Sequence, residues 1–194
     1  MNKRSGTETR RIIVNAAKDV FLKYGYAAAN IRRIARAAGM SVGSIYLYFK
    51  NKEELYKSLI RDRRNEMGAG IEKAIERAAS ATEALSEFLR LYVEYALKHR
   101  EFILLHIREH GFTFGLDEKR EFFQNQRKLL EKIIARGIRD GEFRKCNARG
   151  MAKLIQGSLR GIALSMALDK DVVVTPKMLR EFIFDGLQKT DREV

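Results

Sequence analysis

Proline is almost absent from this chain: Pro176 is the single proline among 194 residues. Half-buried β-strands show apolar and polar residues in alternation, and no such alternation is sustained along this sequence. Apolar residues recur instead every three or four positions, which is typical of helices with one buried face. Glycines mark most of the boundaries between these helical stretches. The sequence therefore predicts an all-α protein.

The helical pattern divides into about nine segments. The first begins with "SGTE", which has capping-box spacing, and ends at Gly25. Two short helices are predicted at 30–38 and 41–49. The segment "NKEEL" then opens a long helix of about 25 residues, in which Gly68 and Gly70 predict a kink or a break. Further helices are predicted near 82–98, 100–110, 117–140, 147–168 and 177–189.

Positive charge is concentrated in the first sixty residues. The whole chain carries a formal net charge of +13. Residues 1–60 hold 12 Lys and Arg against 4 Asp and Glu, and the other 134 residues hold 26 against 21. We therefore expect a polyanionic partner at this end, nucleic acid first and an anionic membrane surface second. A merely solubilising surface is the plain alternative, but it does not account for the asymmetry.

The cysteine content and the hydropathy of the chain restrict its class. A lone cysteine, Cys146, excludes an internal disulfide and a cysteine-based zinc finger. The first residues, "MNKRSGTETRR", contain no apolar signal-like stretch, and no run of 18 apolar residues occurs. We therefore expect a cytoplasmic protein that does not enter a membrane. No cofactor and no metal are predicted.

Residues 30–49 have helix-turn-helix spacing: two short helices joined by "GMS", a turn led by glycine. Ile45 and Phe49 lie on one face of the second helix and can anchor it to the first. The opposite face offers hydroxyls to phosphates or base edges, apolar groups to thymine methyls, and a close backbone approach at a glycine. This outward face consists of Val42, Gly43, Ser44, Tyr46 and Leu47, and it is flanked by Arg32, Arg33, Lys50 and Lys52.

The segment "NIRRIARAAGMSVGSIYLYFKNKEEL" resembles the helix-turn-helix of the TetR family of bacterial one-component transcriptional regulators. The similarity extends back through "RRIIVNAAKDVFLKYGY" and covers roughly residues 8–62. The strings I-A-x-x-A-G, S-x-G-x-I-Y, Y-F and K-x-E-L all fall at family spacing. The resemblance implies a homodimer of about nine helices per subunit: three that bind DNA, four that enclose an effector pocket, and two that dimerise as a four-helix bundle.

The resemblance also assigns roles to individual positions of this segment. Asn30 stands where the family usually has a phosphate-binding threonine, and asparagine caps a helix equally well. Direct readout is expected mainly from Arg32 and Tyr46, together with DNA shape. The base-facing positions are Arg32, Val42, Gly43, Tyr46 and Leu47; the phosphate-facing positions are Asn30, Ser41, Ser44, Tyr48 and Lys52. The N-terminus of the long helix at Lys52 is expected to present free N–H groups to a phosphate.

Two domains follow from the resemblance: a DNA-binding domain over residues 1–52 and an effector-binding and dimerisation domain over residues 53–194. Aromatic side chains recur through the middle of the second domain. Most of these aromatic side chains are expected to pack in the helical core, and a minority is expected to line an apolar effector cavity. The candidates for this pocket are Phe88, Tyr92, Tyr95, Phe102, His106, His110, Phe122 and Phe123.

Gly157, Gly161 and Ser165 form a ladder of small residues at a four-residue spacing. Lys153 and Arg160 exclude a transmembrane contact for this ladder. The pattern indicates close approach of helices across a dimer, with equally close packing inside one subunit as the alternative. The partner helix is expected to supply Leu179, Phe182, Ile183 and Leu187.

The string "HIREH" at 106–110 matches the H-x-x-E-H pattern of a class of zinc peptidases. His106 and His110 lie one helical turn apart, which is a usable spacing for metal ligands. A short pattern with two free positions also arises by chance, and no second acidic helix follows at the peptidase distance. Pocket or packing histidines are therefore expected. A metal-dependent hydrolase is the alternative of another class, and it requires a bound zinc and a third protein ligand.

The sequence therefore predicts a sequence-specific DNA-binding regulator: a homodimeric repressor that a small, largely apolar effector releases from a pseudo-palindromic operator. The basic surplus favours an effector with an anionic end. Its entry is expected to move the long helix that begins at Lys52 and, through Phe49 and Leu55, the second short helix. A constitutive DNA-binding protein without an effector is the main alternative, and a fully packed core would indicate it.

Overall fold

The structure is a computed structural model that describes residues 5–110, 116–185 and 187. Within these ranges the chain forms nine α-helices and no strand, which confirms the predicted fold class. None of the described helices is both long and apolar enough to cross a membrane. The helices are α1 Gly6–Ala28, α2 Ile31–Ala38, α3 Val42–Tyr46, α4 Lys52–Arg77, α5 Ala81–Lys98, α6 Arg100–His110, α7 Leu116–Arg139, α8 Ala148–Leu168 and α9 Pro176–Asp185.

The described residues form two compact units. The first unit comprises residues 5–65 and 105–110, so it contains α1, α2, α3 and the first half of α4. The second unit comprises all other described residues, including α5, α8, α9 and the described part of α7. The predicted division after residue 52 concerns function and stays a prediction.

In the first unit, α1 begins at the expected capping box. The Ser5 hydroxyl accepts a hydrogen bond from the N–H of Glu8. The helix is interrupted at Gly25, whose φ of 76° lies in the left-handed region that other residues rarely adopt. Helical structure then resumes as far as Ala28, so the predicted end at Gly25 is a kink inside α1.

The three N-terminal helices and the start of α4 share one core. The side chains at its centre are Ile13 and Phe21 of α1, Ile34 of α2 and Ile45 of α3, all fully buried. Tyr56 of α4 packs edge-on against Phe21, with ring centroids 5.1 Å apart. The first half of α4 is therefore part of the hydrophobic core of the first unit.

Arg10 adds a polar tie between α1 and α4. Its guanidinium donates hydrogen bonds to the Asp62 carboxylate, 3.0 Å away, and to the Ser58 hydroxyl. The same group lies 5.4 Å from the centre of the Phe49 ring. Ser58 is buried, so Arg10 satisfies a hydroxyl that water does not reach.

The long helix α4 is not broken at its two glycines, so of the two predicted outcomes a break is wrong and a kink stays a prediction. The chain is continuous α-helix from Lys52 to Arg77. A Cβ added at Gly68 or Gly70 would meet no heavy atom of the described residues within 4 Å. Each glycine lowers helix stability by about 1 kcal/mol relative to alanine, but it keeps its backbone N–H and C=O, so the hydrogen-bond ladder continues.

In the second unit, α5, α7, α8 and α9 surround one apolar core. Phe88 of α5, Leu130 of α7, and Leu159 of α8 are among its most buried side chains. The segment 172–175 is irregular, with Val172 and Val174 packed against this core.

The turn after α7 caps the start of α5. The Glu142 carboxylate accepts hydrogen bonds from the N–H groups of Ala81 and Thr82, at 2.9 and 2.8 Å. Burial raises the pKa of Glu142, but these hydrogen bonds outweigh burial and leave the pKa below its ordinary value. In the same turn the buried ring of Phe143 occupies the space beside Gly137, where an added Cβ would overlap it.

Candidate nucleic-acid interface

Local caps define both helices of the helix-turn-helix motif. The Asn30 side-chain oxygen accepts a hydrogen bond from the N–H of Arg33 at 2.9 Å and begins α2. Gly39 ends α2 in the left-handed conformation, with a φ of 65°. The Ser41 hydroxyl accepts from the N–H of Ser44 at 3.0 Å and begins α3.

The recognition helix α3 is shorter than the predicted segment 41–49. Beyond Tyr46 the N–H groups of Tyr48 and Phe49 both donate to the carbonyl of Ile45, each at 3.0 Å. Two donors on one acceptor form a tight turn, which ends the regular helical ladder. Ile45 and Phe49 are buried, so they anchor α3 as expected.

The opposite face of α3 carries exposed apolar side chains. Leu47 is 84% exposed and Tyr46 is 53% exposed, beside a partly exposed Val42. A Cβ added at Gly43 would meet only the Ser41 hydroxyl oxygen, at 3.8 Å, so packing inside the protein does not require glycine there. Apolar groups held in water next to a glycine suit a surface that a large partner approaches closely.

Cationic side chains border this face. Arg32 and Lys50 are exposed. Arg33 lies over the ring of Tyr24, with its guanidinium carbon 4.4 Å from the ring centre, and Lys23 approaches the same ring at 5.4 Å. Tyr24 thus keeps two cations at the surface of the first unit. The sequence analysis did not predict that Arg33 and Lys23 contact Tyr24. The neighbouring Lys23 and Tyr24, just before the Gly25 kink, are the local sign of this contact.

The Lys52 side chain, an expected phosphate contact, is hydrogen-bonded inside the first unit. Its ammonium donates to the carbonyl oxygens of Tyr26, Ala27 and Ala29, at 2.7, 3.3 and 3.0 Å, and lies 4.3 Å from the Tyr26 ring centre. Burial raises the pKa of Tyr26, and the Glu53 carboxylate adds to the rise, so the phenol stays neutral beneath this cation. All three ammonium protons are used inside the protein.

Backbone N–H groups at the start of α4 are available to an anion. The Asn51 side chain accepts from the N–H of Glu54 at 2.8 Å, and the Glu54 carboxylate accepts from the N–H of Lys50 at 2.7 Å. The first-turn N–H groups of Lys52 and Glu53 have no acceptor within the helix, and the helix dipole adds positive charge there. The sequence predicts a phosphate at this position, and such N–H groups suit an anion.

Sequence profiles of known families match both parts of the chain. The profile described as bacterial regulatory proteins, tetR family, matches residues 13–59. The profile described as tetracyclin repressor-like, C-terminal domain, matches residues 78–164, and together the two cover more than two thirds of the chain. The chain belongs to the TetR family.

Relatives of this TetR-family protein match it along most of its length. It is 26% identical over 181 residues to the fatty acid metabolism regulator protein of Bacillus subtilis, covering 90% of this chain and 93% of that one. It is 27% identical over 194 residues to the transcriptional repressor SCO4008 of Streptomyces coelicolor, covering 98% and 92%. The crystal structure of FadR from Bacillus subtilis in complex with stearoyl-CoA is 27% identical, with a TM-score of 0.73 over 92% of this chain and 99% of that one. The protein is therefore a DNA-binding transcriptional regulator.

The effector-pocket candidates of this TetR-family regulator differ in burial. Phe88 and Tyr92 of α5 are buried, with their rings stacked 6.5 Å apart in the core of the second unit. Tyr95, Phe102, Phe122 and Phe123 are half-buried. The side chains of His106 and His110 lie outside the described residues. Within the described part of the chain, no three His, Cys, Asp or Glu are grouped so that they could hold a metal ion.

The residues predicted for the dimer interface fall into a buried group and an exposed group. Leu179, Ile183 and Leu187 are buried in the core of their own subunit, so they are not available to a partner, and the expectation for them is corrected. Hydrophobic periodicity marks an apolar stripe on a helix but not which neighbour covers it. Gly157, Gly161, Ser165 and Phe182 lie at the surface.

Of the exposed apolar side chains on α8 and α9, Phe182 was predicted for the dimer interface, whereas Leu154, Leu168 and Met178 were missed. Leu154 is 67% exposed and Phe182 is 69% exposed, and Leu168 and Met178 are exposed as well. Leu154 and Leu168 lie four helical turns apart, on the side of α8 that carries Gly157 and Gly161. The signal in the sequence is the helical spacing of these four positions of α8.

Proposed function

We propose that this TetR-family protein is a homodimeric repressor that binds a pseudo-palindromic operator in the cytoplasm and is released by a small, largely apolar effector with an anionic end. Enzymatic activity is not part of its role. The observation that carries the DNA-binding role is the outward face of α3: Tyr46 and Leu47 project into water beside Gly43, and Arg32 borders them. Such a face fits the major groove.

Contacts to bases come from Arg32, Val42, Tyr46 and Leu47 in this proposal, with the backbone at Gly43 lying close to a base edge. Phosphates are bound by the side chains of Asn30, Ser41, Ser44 and Tyr48, by the cations Arg33 and Lys50, and by the N–H groups at the start of α4. The Asn30 oxygen caps α2, so its amide N–H₂ is the group that donates to a phosphate.

Selection of binding sites from a random pool of DNA duplexes tests this role. Two copies of α3 related by a twofold axis should select an inverted repeat, with half-sites about one helical turn apart or somewhat more. Leu47→Ala should weaken binding to the selected site by about tenfold, because it removes about 1.5 kcal/mol of apolar burial. The control is Leu97→Ala, which shortens an exposed leucine on α5. Equal binding by both variants would remove α3 from the interface.

For the dimer, the proposed contact is the exposed surface of α8 and α9 that contains Leu154, Gly157, Gly161, Leu168 and Phe182. The small residues allow close approach of helices, and the large ones leave apolar area to bury. Leu154→Arg should give a folded monomer by light scattering and circular dichroism, because its exposed side chain leaves the core untouched. Leu97→Arg is the matched control and should stay dimeric. A Leu154→Arg protein that remains dimeric would contradict this surface.

Release by an effector is supported by the FadR relative, whose structure contains stearoyl-CoA. A constitutive DNA-binding protein is the alternative. Calorimetry with stearoyl-CoA, with and without the selected operator, distinguishes the two. A hundredfold loss of operator affinity corresponds to about 2.7 kcal/mol of coupling, and operator DNA must then weaken stearoyl-CoA binding by the same factor. Tight binding that ignores DNA would show that the compound is no inducer.

A further inference from the structure

Two polar side chains in the second unit are buried without using their hydrogen-bonding groups. Gln126 of α7 is 5% exposed and Tyr92 of α5 is 8% exposed. Neither the Gln126 amide nor the Tyr92 hydroxyl makes a hydrogen bond with any part of the chain that the structure describes. Buried amides and hydroxyls are nearly always hydrogen-bonded, because an unmet donor lowers stability.

Two other buried polar side chains, Ser58 and Gln156, are satisfied, which sets Tyr92 and Gln126 apart. The Ser58 hydroxyl accepts from Arg10. Gln156 of α8 donates from its side-chain nitrogen to the carbonyl of Phe123, at 2.6 Å. The chain thus provides partners for buried polar side chains elsewhere but keeps two donors free inside the second unit.

A cation lies close to this place. Arg160, one turn after Gln156 on α8, holds its guanidinium 4.3 Å from the centre of the Phe123 ring. In the described part of the chain Arg160 makes no ion pair and no hydrogen bond. Burial raises the pKa of Tyr92 to about 12, and the positive charge of Arg160 offsets part of that rise. Tyr92 is therefore a neutral donor near a cation that has no carboxylate partner.

Arg160 links α7 and α5, because it lies over the Phe123 ring and its charge acts on Tyr92. Phe123 and Gln126 are three residues apart on α7 and share a face. Leu130, one turn further along that face, packs in the same apolar core as Tyr92. Arg160, which contacts Phe123, is the exposed member of the set. Buried donors thus lie beside apolar side chains, with the positive charge outermost.

We propose that Tyr92 and Gln126 bind the acyl oxygen of an anionic amphiphile and that Arg160 faces its negative charge. This inference rests on the effector-released repressor proposed above and names the chemistry of the effector. The Tyr92 hydroxyl and the Gln126 amide N–H donate to the oxygen, and the hydrocarbon chain lies among the aromatic side chains of the second unit. The acyl group belongs to a fatty acid, whose carboxylate is also the anion, or to an acyl thioester with phosphates on its carrier.

Three probes that share the same hydrocarbon chain distinguish a free fatty acid from an acyl thioester: oleate, oleoyl-CoA and oleyl alcohol. The full-length protein should bind oleate or oleoyl-CoA at least tenfold more tightly than the alcohol, which has neither acyl oxygen nor charge. Preference for oleate identifies the free acid, and preference for oleoyl-CoA identifies the thioester. Equal affinity for all three probes would overturn the proposal.

Variants then test the residues. Gln126→Leu and Tyr92→Phe should each weaken binding of the preferred probe at least tenfold, and Arg160→Gln should weaken binding of the anions but not of the alcohol. The matched controls are Gln124→Leu on the exposed side of α7 and Arg149→Gln at the start of α8. Both controls should bind like the wild type.

Stability without ligand gives a second readout. Gln126→Leu removes a buried unsatisfied amide, so it should raise the thermal midpoint; a lower midpoint would show that the amide serves the fold. If both core variants bind the preferred probe like the wild type, the inference fails while operator-coupled binding keeps the proposed function. If the wild type binds none of the three probes, the proposed effector class fails and the inference fails with it.

Discussion

Replacement of Lys52 by methionine tests whether this residue stabilises the first unit or binds DNA. Methionine keeps most of the apolar stem of lysine and removes the ammonium. In the structure that ammonium donates to the carbonyl oxygens of Tyr26, Ala27 and Ala29, in the segment after the Gly25 kink. Lys52→Met should therefore weaken the junction between α1 and α2.

The size of the effect follows from these contacts. The bonds to Tyr26 and Ala29 are partly buried, and the bond to Ala27 is exposed. A hydrogen bond to a charged group contributes about 1.5–3 kcal/mol. Water can reach part of the carbonyl surface after the substitution, so the two partly buried bonds together should account for about 2–3 kcal/mol, with the exposed bond adding little.

Hydrogen exchange measured by mass spectrometry reports this loss locally. Peptides from α1 and α2 should exchange faster in Lys52→Met by a factor that corresponds to about 2–3 kcal/mol of opening free energy. Lys50→Met is the matched control, because the Lys50 side chain is exposed, and it should change stability by less than about 0.5 kcal/mol. The salt dependence of DNA binding is measured on the same variants.

The two roles of Lys52 give opposite results. If the ammonium were a phosphate contact, Lys52→Met would lower the slope of log affinity against log salt by about 0.9 and leave exchange unchanged. That combination would refute the structural role. Faster exchange with an unchanged slope, measured at a temperature where the variant is folded, supports it.

Four further predictions follow from three glycines and from one carboxylate. Gly43→Ala should leave the thermal midpoint unchanged or slightly raised and weaken operator binding in a titration, because a methyl group meets nothing inside the protein but occupies the surface proposed to meet DNA. Gly70→Ala should stabilise α4 by up to about 1 kcal/mol in urea unfolding, since the site is open, whereas Gly137→Ala should destabilise the second unit by about 1–3 kcal/mol because it overlaps Phe143. The Glu142 pKa is below its ordinary value of 4.5, so its contribution is complete above that pH and is lost as pH falls through the lower folded-state pKa. Glu142→Gln should remove this acid dependence, and a variant with the wild-type stability–pH curve would contradict the capping role.

The helix-turn-helix could be predicted because its determinants are local. Asn30 and Ser41 cap helices through N–H groups three residues away, and Gly39 ends α2 by its own backbone conformation. Residues that act at such short range leave their signal in adjacent letters of the sequence. Periodicity likewise identified Ile45 and Phe49 as the anchoring side of α3.

What could not be predicted depends on long-range packing. The partners of Lys52 are carbonyl groups 23 to 26 residues earlier in the chain, and no local pattern indicates them. Leu187 was assigned to a partner subunit because an apolar stripe does not show which surface covers it, and it is buried within its own chain. Gln126 was overlooked for a related reason: a glutamine in a helix is exposed by default, and only the fold makes it buried.

The contribution of α4 to the core of the first unit has a consequence for protein synthesis. A nascent chain that ends at Phe49 already contains the entire helix-turn-helix motif, but it lacks Tyr56 and the partners of Arg10, which are Ser58 and Asp62. Such a chain should therefore remain poorly folded on the ribosome. About 15 more residues must leave the exit tunnel, up to the middle of α4, before α1, α2 and α3 can close around a complete core. Translation thus completes the surface proposed to read DNA only after it has begun the helix that leads into the second unit.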